Sequence, residues 1–240
     1  MRKTLGVLLA AALAGLASTP AMALEQRSGA RQHPSVEYGN QNNGKRVWVL
    51  GDSITDDSLY RRGPSMQDRI GWVFVGSGRS VHIDATSGST ISDHFAWNTI
   101  QNAANSNARA VIVELGTNDV GLVQNWDQEN LAINYMRWAA ATLATSRKCI
   151  LWIGLNGNGN YQVFAPGRPW FDNPIWATVF NQNIQTAGSF NFQYADYTSF
   201  VNWNPTYRAG LLDTVHPVTE EAKNELVKWY SALLAFKCGF

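Results

Sequence analysis

The sequence predicts an α/β protein, a parallel β-sheet with helices on both faces. Three observations lead there. Short apolar runs alternate along the chain with longer segments of helical periodicity, the pattern of strand–helix–strand units. The run Val111-Ile112-Val113 is apolar on consecutive positions, as a strand covered on both faces must be. The helical segments also carry start signals at their heads, in Asp127, Pro174 and Pro217.

The strand candidates are residues 47–50, 81–83, 110–115 and 150–153, with a weaker one at 192–197, so the sheet should hold about five strands. Asp127 is placed to cap a helix running to about residue 146, with Leu131, Tyr135, Trp138, Ala139 and Leu143 on one face. A second helix should run from Pro174 to about Thr186. The last should start at Pro217, with Thr219, Glu220 and Glu221 in its first turn and Lys237 at its end, a charge order that suits the helix dipole.

Residues 1–23 read as a secretory signal peptide rather than as fold. Arg2 and Lys3 precede an apolar run over 5–16, and Pro20 leads to the small-residue site Ala21-Met22-Ala23. The apolar run is too short to cross a bilayer, which needs about 20 residues. Residues 24–44 are polar, with little to bury, and should lie loosely over the surface or stay disordered. Residues 45–240 then form a single domain.

Composition narrows the functional classes. Hydrophobic residues make up 45%, charged residues 15%, and the formal net charge is +1, which excludes a disordered chain and gives no reason to expect nucleic acid or an anionic membrane as partner. No second apolar segment is long enough to span a membrane. Ten tryptophans fit either a thick core or a sugar- or lipid-facing surface.

In a parallel sheet, ligands bind beyond the carboxyl ends of the strands. The first strand runs straight into Gly51-Asp52-Ser53-Ile54-Thr55. Ser53 stands at a helix start, where backbone N–H groups are free. Taken alone it reads as a cap. The third strand ends in Gly116-Thr117-Asn118-Asp119, and an amide at Asn118 could donate to a developing oxyanion or form an Asx turn. Before the last helix stands Asp213-Thr214-Val215-His216-Pro217. A carboxylate three residues before a histidine can accept its Nδ1–H and leave Nε2 to take a proton from a serine.

Those three blocks, in that order, resemble the SGNH hydrolases, also called GDSL esterases and lipases. The resemblance covers roughly residues 45–235. It implies a three-layer αβα sandwich with a flavodoxin-like parallel sheet, no metal and no organic cofactor. It implies Ser53 as nucleophile, His216 as base and Asp213 as its orienting carboxylate. An oxyanion hole would be formed by the Ser53 N–H, the Gly88 N–H and the Asn118 side chain. Gly88 is the best match to the family's second block, in Ser87-Gly88-Ser89-Thr90, although Asp84-Ala85-Thr86 stands where the family often has an asparagine. Asp52 and Asp119 are read as buried carboxylates that hold neighbouring loops.

The function so implied is a secreted serine ester hydrolase acting on a glycan, lipid or small acyl ester. Two alternatives stay open: an acyltransferase that hands the acyl group to cell-wall or glycan hydroxyls, and a non-catalytic glycan binder. Competing motifs are missing. The sequence has no G-x-S-x-G, H-E-x-x-H or C-x-x-C, and Asn156-Gly157-Asn158-Gly159-Asn160 lacks dinucleotide-binding spacing. His33, His82 and His94 read as ordinary core or surface residues, and Asp56 and Asp57 as solvated or helix-start charges. Residues 156–176 carry Tyr161, Phe164, Trp170, Phe171 and Trp176 after the fourth strand, either as a lid over the site or as a plug packing its own aromatics.

Cys149 and Cys238 are the only cysteines. An exported chain meets an oxidising compartment, where an even number should pair. Cys149 opens the fourth strand at the amino edge of the sheet. The last helix starts at the opposite edge, and about 20 residues at 1.5 Å each bring Cys238 roughly 30 Å back to the same edge; a disulfide forms if that helix lies over the fourth strand, and two buried, unpaired thiols are the alternative.

Overall fold

The computed structural model describes residues 35–59, 63–159, 173–187 and 191–240. The segments read as signal peptide and most of the polar leader lie outside these residues. So do Tyr161, Phe164, Trp170 and Phe171 of the aromatic stretch.

The sheet has six strands. In chain order they are β1 (Ser35–Tyr38), β2 (Arg46–Gly51), β3 (Ser80–Ala85), β4 (Ala110–Glu114), β5 (Cys149–Ile153) and β6 (Phe192–Ala195). Their spatial order is β1-β3-β2-β4-β5-β6. All neighbours from β3 to β6 are parallel, and β1 joins β3 antiparallel. Without β1 this is the flavodoxin-like order, in which the chain leaves β2 in one direction and returns to its other side. The crevice between the carboxyl ends of β2 and β4 is therefore the topological switch point.

The sixth strand corrects the expectation of a loose leader up to residue 44. Ser35 and Glu37 face solvent while Val36 and Tyr38 are half-buried, a period-two alternation too short to stand out in a polar segment. Tyr38 lies against Gly71, where a Cβ would come within 2.4 Å of its ring, and its hydroxyl donates to Asp68 at 2.9 Å.

The main helices are α1 (Met66–Gly76), α2 (Ile91–Ala96), α3 (Thr99–Asn105), α4 (Thr117–Gly121), α5 (Trp126–Ala144), α6 (Asn173–Thr186), α7 (Tyr197–Trp203), α8 (Pro205–Ala209) and α9 (Glu220–Cys238). α1 and α9 pack together on one side of the sheet, and α3, α5 and α6 form the layer on the other. The core lies between these layers, in the wholly apolar insides of β2, β4 and β5 and the facing helix residues Ile70, Phe74, Met136, Leu143, Phe180 and Leu226.

Two helix starts differ from expectation by two residues or more, because a better cap lies near the expected one. Asn125, not Asp127, caps α5, accepting the Gln128 N–H at 3.0 Å. Thr219 caps α9 through the Ala222 N–H at 3.2 Å, and Pro217 belongs instead to a two-residue strand, β8 (His216–Pro217), paired with β7 (Leu211–Leu212). Trp176, expected in the aromatic loop, is buried on α6 with its ring edge-to-face against Trp126.

Cys149 and Cys238 are bonded, with Cα atoms 5.6 Å apart, inside the geometric range of a disulfide. α9 does run back over β5, as the pairing requires.

Candidate active site

The turn after β2 carries Ser53. Gly51 is needed at the strand exit because a Cβ there would stand 2.5 Å from the Thr55 side chain. Asp52 accepts the Ile54 N–H at 3.0 Å, and Thr55 Oγ1 donates to Glu114 at 3.0 Å. Backbone N–H groups of Asp52 and Thr55 also reach the Glu114 carboxyl. The candidate nucleophile thus rides on a turn fixed from below by the last residue of β4.

Ser53 Oγ lies 2.8 Å from His216 Nε2. On the far side of the ring, Nδ1 is 2.9 Å from Asp213 Oδ2. A carboxylate only accepts, so Nδ1 carries the proton and Nε2 is left to accept from the serine hydroxyl. Asp213 also accepts the backbone N–H of Val215 at 3.1 Å and of His216 at 3.0 Å. These bonds hold a turn in which Asp213 and Thr214 both have positive φ, 52° and 63°. Left-handed residues other than glycine store roughly 1–2 kcal/mol each. The turn is pinned from outside by Asn156, whose Nδ2 donates to Thr214 O at 2.8 Å. Ser53 and His216 are 4% and 1% exposed, so the pair is largely shielded from bulk water.

The turn after β3 carries Gly88. Ser89 N–H donates to Thr86 O at 3.0 Å, and Gly88, third in this four-residue turn, has φ 82°. That value at that place defines a type II turn and requires glycine. The Ser53 and Gly88 N–H groups have no partner among the described residues, so both are available donors. Asn118 is the second residue of α4, just past the end of β4, and is 9% exposed. Its Nδ2 donates one hydrogen to Ser89 O at 2.9 Å, which fixes the amide orientation and leaves the second hydrogen free.

Asp52 and Asp119 are buried and hold neighbouring backbone. Both oxygens of Asp119 accept the Ile91 N–H, at 3.1 and 3.2 Å. Burial lifts Asp119 to about 7 and Asp52 to about 6, the latter restrained by the Ile54 N–H and the nearby imidazole. Burial, reinforced by the Asp52 charge, holds Glu114 well above the usual carboxylate range.

Several of these supports were not readable in the sequence. Asp56 is not simply a solvated charge: its Oδ2 accepts the Ser87 N–H at 2.8 Å, tying the nucleophile turn to the Gly88 turn. Asp57 is buried and ion-paired with the fully buried Lys223 on α9, the helix that follows His216. His94 is a buried connector, with Nε2 3.2 Å from both Gly51 O and Ser89 Oγ and Nδ1 2.8 Å from Thr99 Oγ1. His82 stacks on Trp48 between Glu37 and Asp84. Glu114 did leave a signal, as an acidic residue closing a strand that is otherwise Ala-Val-Ile-Val. Among the described residues, no group of three or more His, Cys, Asp or Glu side chains could hold a metal ion.

A sandwich of this topology, with those three blocks in that order at the switch point, is the SGNH hydrolase fold. The chain belongs to the GDSL-like lipase/acylhydrolase family, whose model matches residues 49–220. Among solved structures, it is similar to a GDSL-like lipase from Bacteroides thetaiotaomicron, at 18% identity and a TM-score of 0.58, covering 80% of this chain and 88% of that one. It is similar also to a catalytic mutant of an acetylxylan esterase from Geobacillus stearothermophilus, at 18% identity and a TM-score of 0.54, covering 81% and 95%. At these identities the likeness is one of fold. A curated relative, an uncharacterised protein of Rickettsia bellii, is 28% identical over 128 residues, which are 52% of this chain and only 13% of the relative.

Proposed function

We propose that the protein is a secreted serine ester hydrolase in which Ser53 attacks the acyl carbonyl, His216 moves the proton and Asp213 orients the imidazole. The observation that carries this reading is the unbroken series Asp213–His216–Ser53, with links of 2.9 and 2.8 Å.

The steps follow from that geometry. As Ser53 Oγ bonds to the carbonyl carbon, its proton passes to His216 Nε2. The negative charge that develops on the carbonyl oxygen is met by the Ser53 N–H, the Gly88 N–H and the free hydrogen of the Asn118 amide. One such donor is worth about 3 kcal/mol of barrier. The bond to the leaving alkoxide then breaks, and His216 returns the proton to it. Water attacks the acyl-serine with His216 again taking a proton, and the acid leaves with Ser53 restored.

Secretion rests on residues 1–23 and on the Cys149–Cys238 bond, which an oxidising compartment would preserve. Mature protein recovered outside the cytoplasm should begin near residue 24.

The decisive experiment is active-site labelling. Wild-type protein should react with a fluorophosphonate at Ser53 and hydrolyse p-nitrophenyl acetate, and Ser53→Ala should do neither while keeping its fold. Asp213→Asn should lower kcat about 10⁴-fold, as loss of the correct imidazole tautomer does. Label found on any other serine would overturn the assignment.

A further inference from the structure

The edge of the sheet opposite the candidate active site is strongly basic. Arg109 directly precedes β4, Lys148 directly precedes β5 and Asn191 directly precedes β6. Their main chains are joined side by side, with Cys149 N–H donating to Arg109 O at 3.0 Å and Ile150 N–H to Asn191 O at 2.7 Å. A cavity of about 450 Å³ opens over them, lined by Arg109, Arg147, Lys148 and Lys237 together with Asn107 and Asn191, and no lining side chain is a carboxylate.

None of the four cations has an ion-pair partner among the described residues. Lys148 is only 9% exposed, yet its Nζ meets a neutral acceptor, Ala104 O, at 2.8 Å. A buried ammonium without a counter-charge is unfavourable, and burial accordingly lowers its pKa.

Helices α3, α5 and α9 all end near this edge, and their carboxyl-terminal dipoles attract cations. Each terminus carries about −0.5 charge, so three offset less than half of the four positive charges. In a chain of net charge +1, that surplus is concentrated in one concave place.

We propose that this cavity binds an oxyanion: the phosphate, sulfate or carboxylate group of a free ion or of an acidic polymer. Bidentate guanidinium contacts from Arg109 and Arg147 suit such a group, with the two lysines as point charges and the asparagine amides as further donors. The five residues of β5 place the cavity about 16 Å below the other edge, so its occupant would be held apart from the ester under attack.

The test is calorimetric titration of the oxidised full chain at constant ionic strength. The probes are sodium phosphate, sodium sulfate, polyphosphate and polygalacturonate, with sodium chloride as reference. Saturable binding beyond chloride is expected, weakened about tenfold for each guanidinium removed in Arg109→Gln and Arg147→Gln. Arg208→Gln, remote from the cavity, should leave binding unchanged, and all three variants should keep wild-type hydrolysis of a small ester. Tighter binding of a polymer than of free ions would identify an acidic polymer as the occupant, and equal binding a free ion. If either arginine variant fails to fold, Lys237→Gln provides the same comparison. Wild-type heats equal to those of chloride, or binding unaltered in the folded cavity variants, would overturn the proposal.

Discussion

Asp56 Oδ2 accepts the backbone N–H of Ser87 at 2.8 Å. This one bond links the turn that presents Ser53 to the turn that presents Gly88, so two candidate oxyanion donors on different strands share an anchor. Asp56→Ala should therefore lower kcat about 10- to 100-fold with little change in KM, the scale of one lost charge-assisted hydrogen bond. Asp56→Asn, which keeps an acceptor oxygen, should recover most of the rate. Steady-state kinetics on p-nitrophenyl acetate measures both. Equal losses in the two variants would assign Asp56 an electrostatic role instead.

Asn118 divides its amide between Ser89 O and the site. Asn118→Ala removes a donor needed only when charge develops on the substrate oxygen. It should lower kcat about 10²–10³-fold and leave KM nearly unchanged. A change confined to KM would make Asn118 a substrate-binding residue.

The Cys149–Cys238 bond spans a sequence separation of 89. Closing a loop of that length removes about 4–5 kcal/mol of unfolded-state freedom in the chain-entropy account. Cys149→Ser with Cys238→Ser should lower the unfolding free energy by up to that amount while leaving the folded protein active. Urea melts of the oxidised wild type and the double variant give the difference.

His82 should make the stability of the fold depend on pH. Burial disfavours its charged form, but hydrogen bonds and charges from Asp84 and Glu37 outweigh burial and raise its pKa above 6.5. Arg46 shares Glu37 at 2.9 Å. A raised folded pKa means stabilisation that is full below about pH 6.5 and fades as pH rises through the folded value. Because Glu37 belongs to β1, the edge strand should loosen first. His82→Gln should be less stable than wild type at pH 6, with the gap closing toward high pH. Thermal midpoints between pH 5.5 and 8.5 measure this, and a constant gap would contradict it.

The parts of this molecule legible in the sequence are those set by local pattern. Val111-Ile112-Val113 could only be a covered strand, and the Ser53, Asn118 and Asp213–His216 blocks each stand where a strand or turn reaches the switch point. Helix length and strand polarity put Cys149 and Cys238 at the same edge of the sheet, but that α9 lies over β5 was not readable in the sequence. The illegible parts depend on partners far away in the chain. Asp56 and Asp57 read as solvated or helix-start charges, and Asp57 does open a short 3-10 helix, but a carboxylate beside a turn looks the same whether water or Ser87 and Lys223 lies opposite. Asn156 was submerged in a glycine-rich run, and its contact with Thr214 exists only because the fold brings the end of β5 beside the turn before α9. β1 was missed because only Val36 and Tyr38 mark it, and two side chains make too short a pattern to rise above a polar background.

Ser53 and His216 are 163 positions apart, and His216 comes just before α9, which must dock on α1 and β5 to bring the imidazole home. On the proposed mechanism, a nascent or still-translocating polypeptide has its nucleophile early but no base. Hydrolytic power therefore arises in one step, once the segment from His216 through α9 has been made and docked, and fragments that lack this segment are chemically silent toward esters.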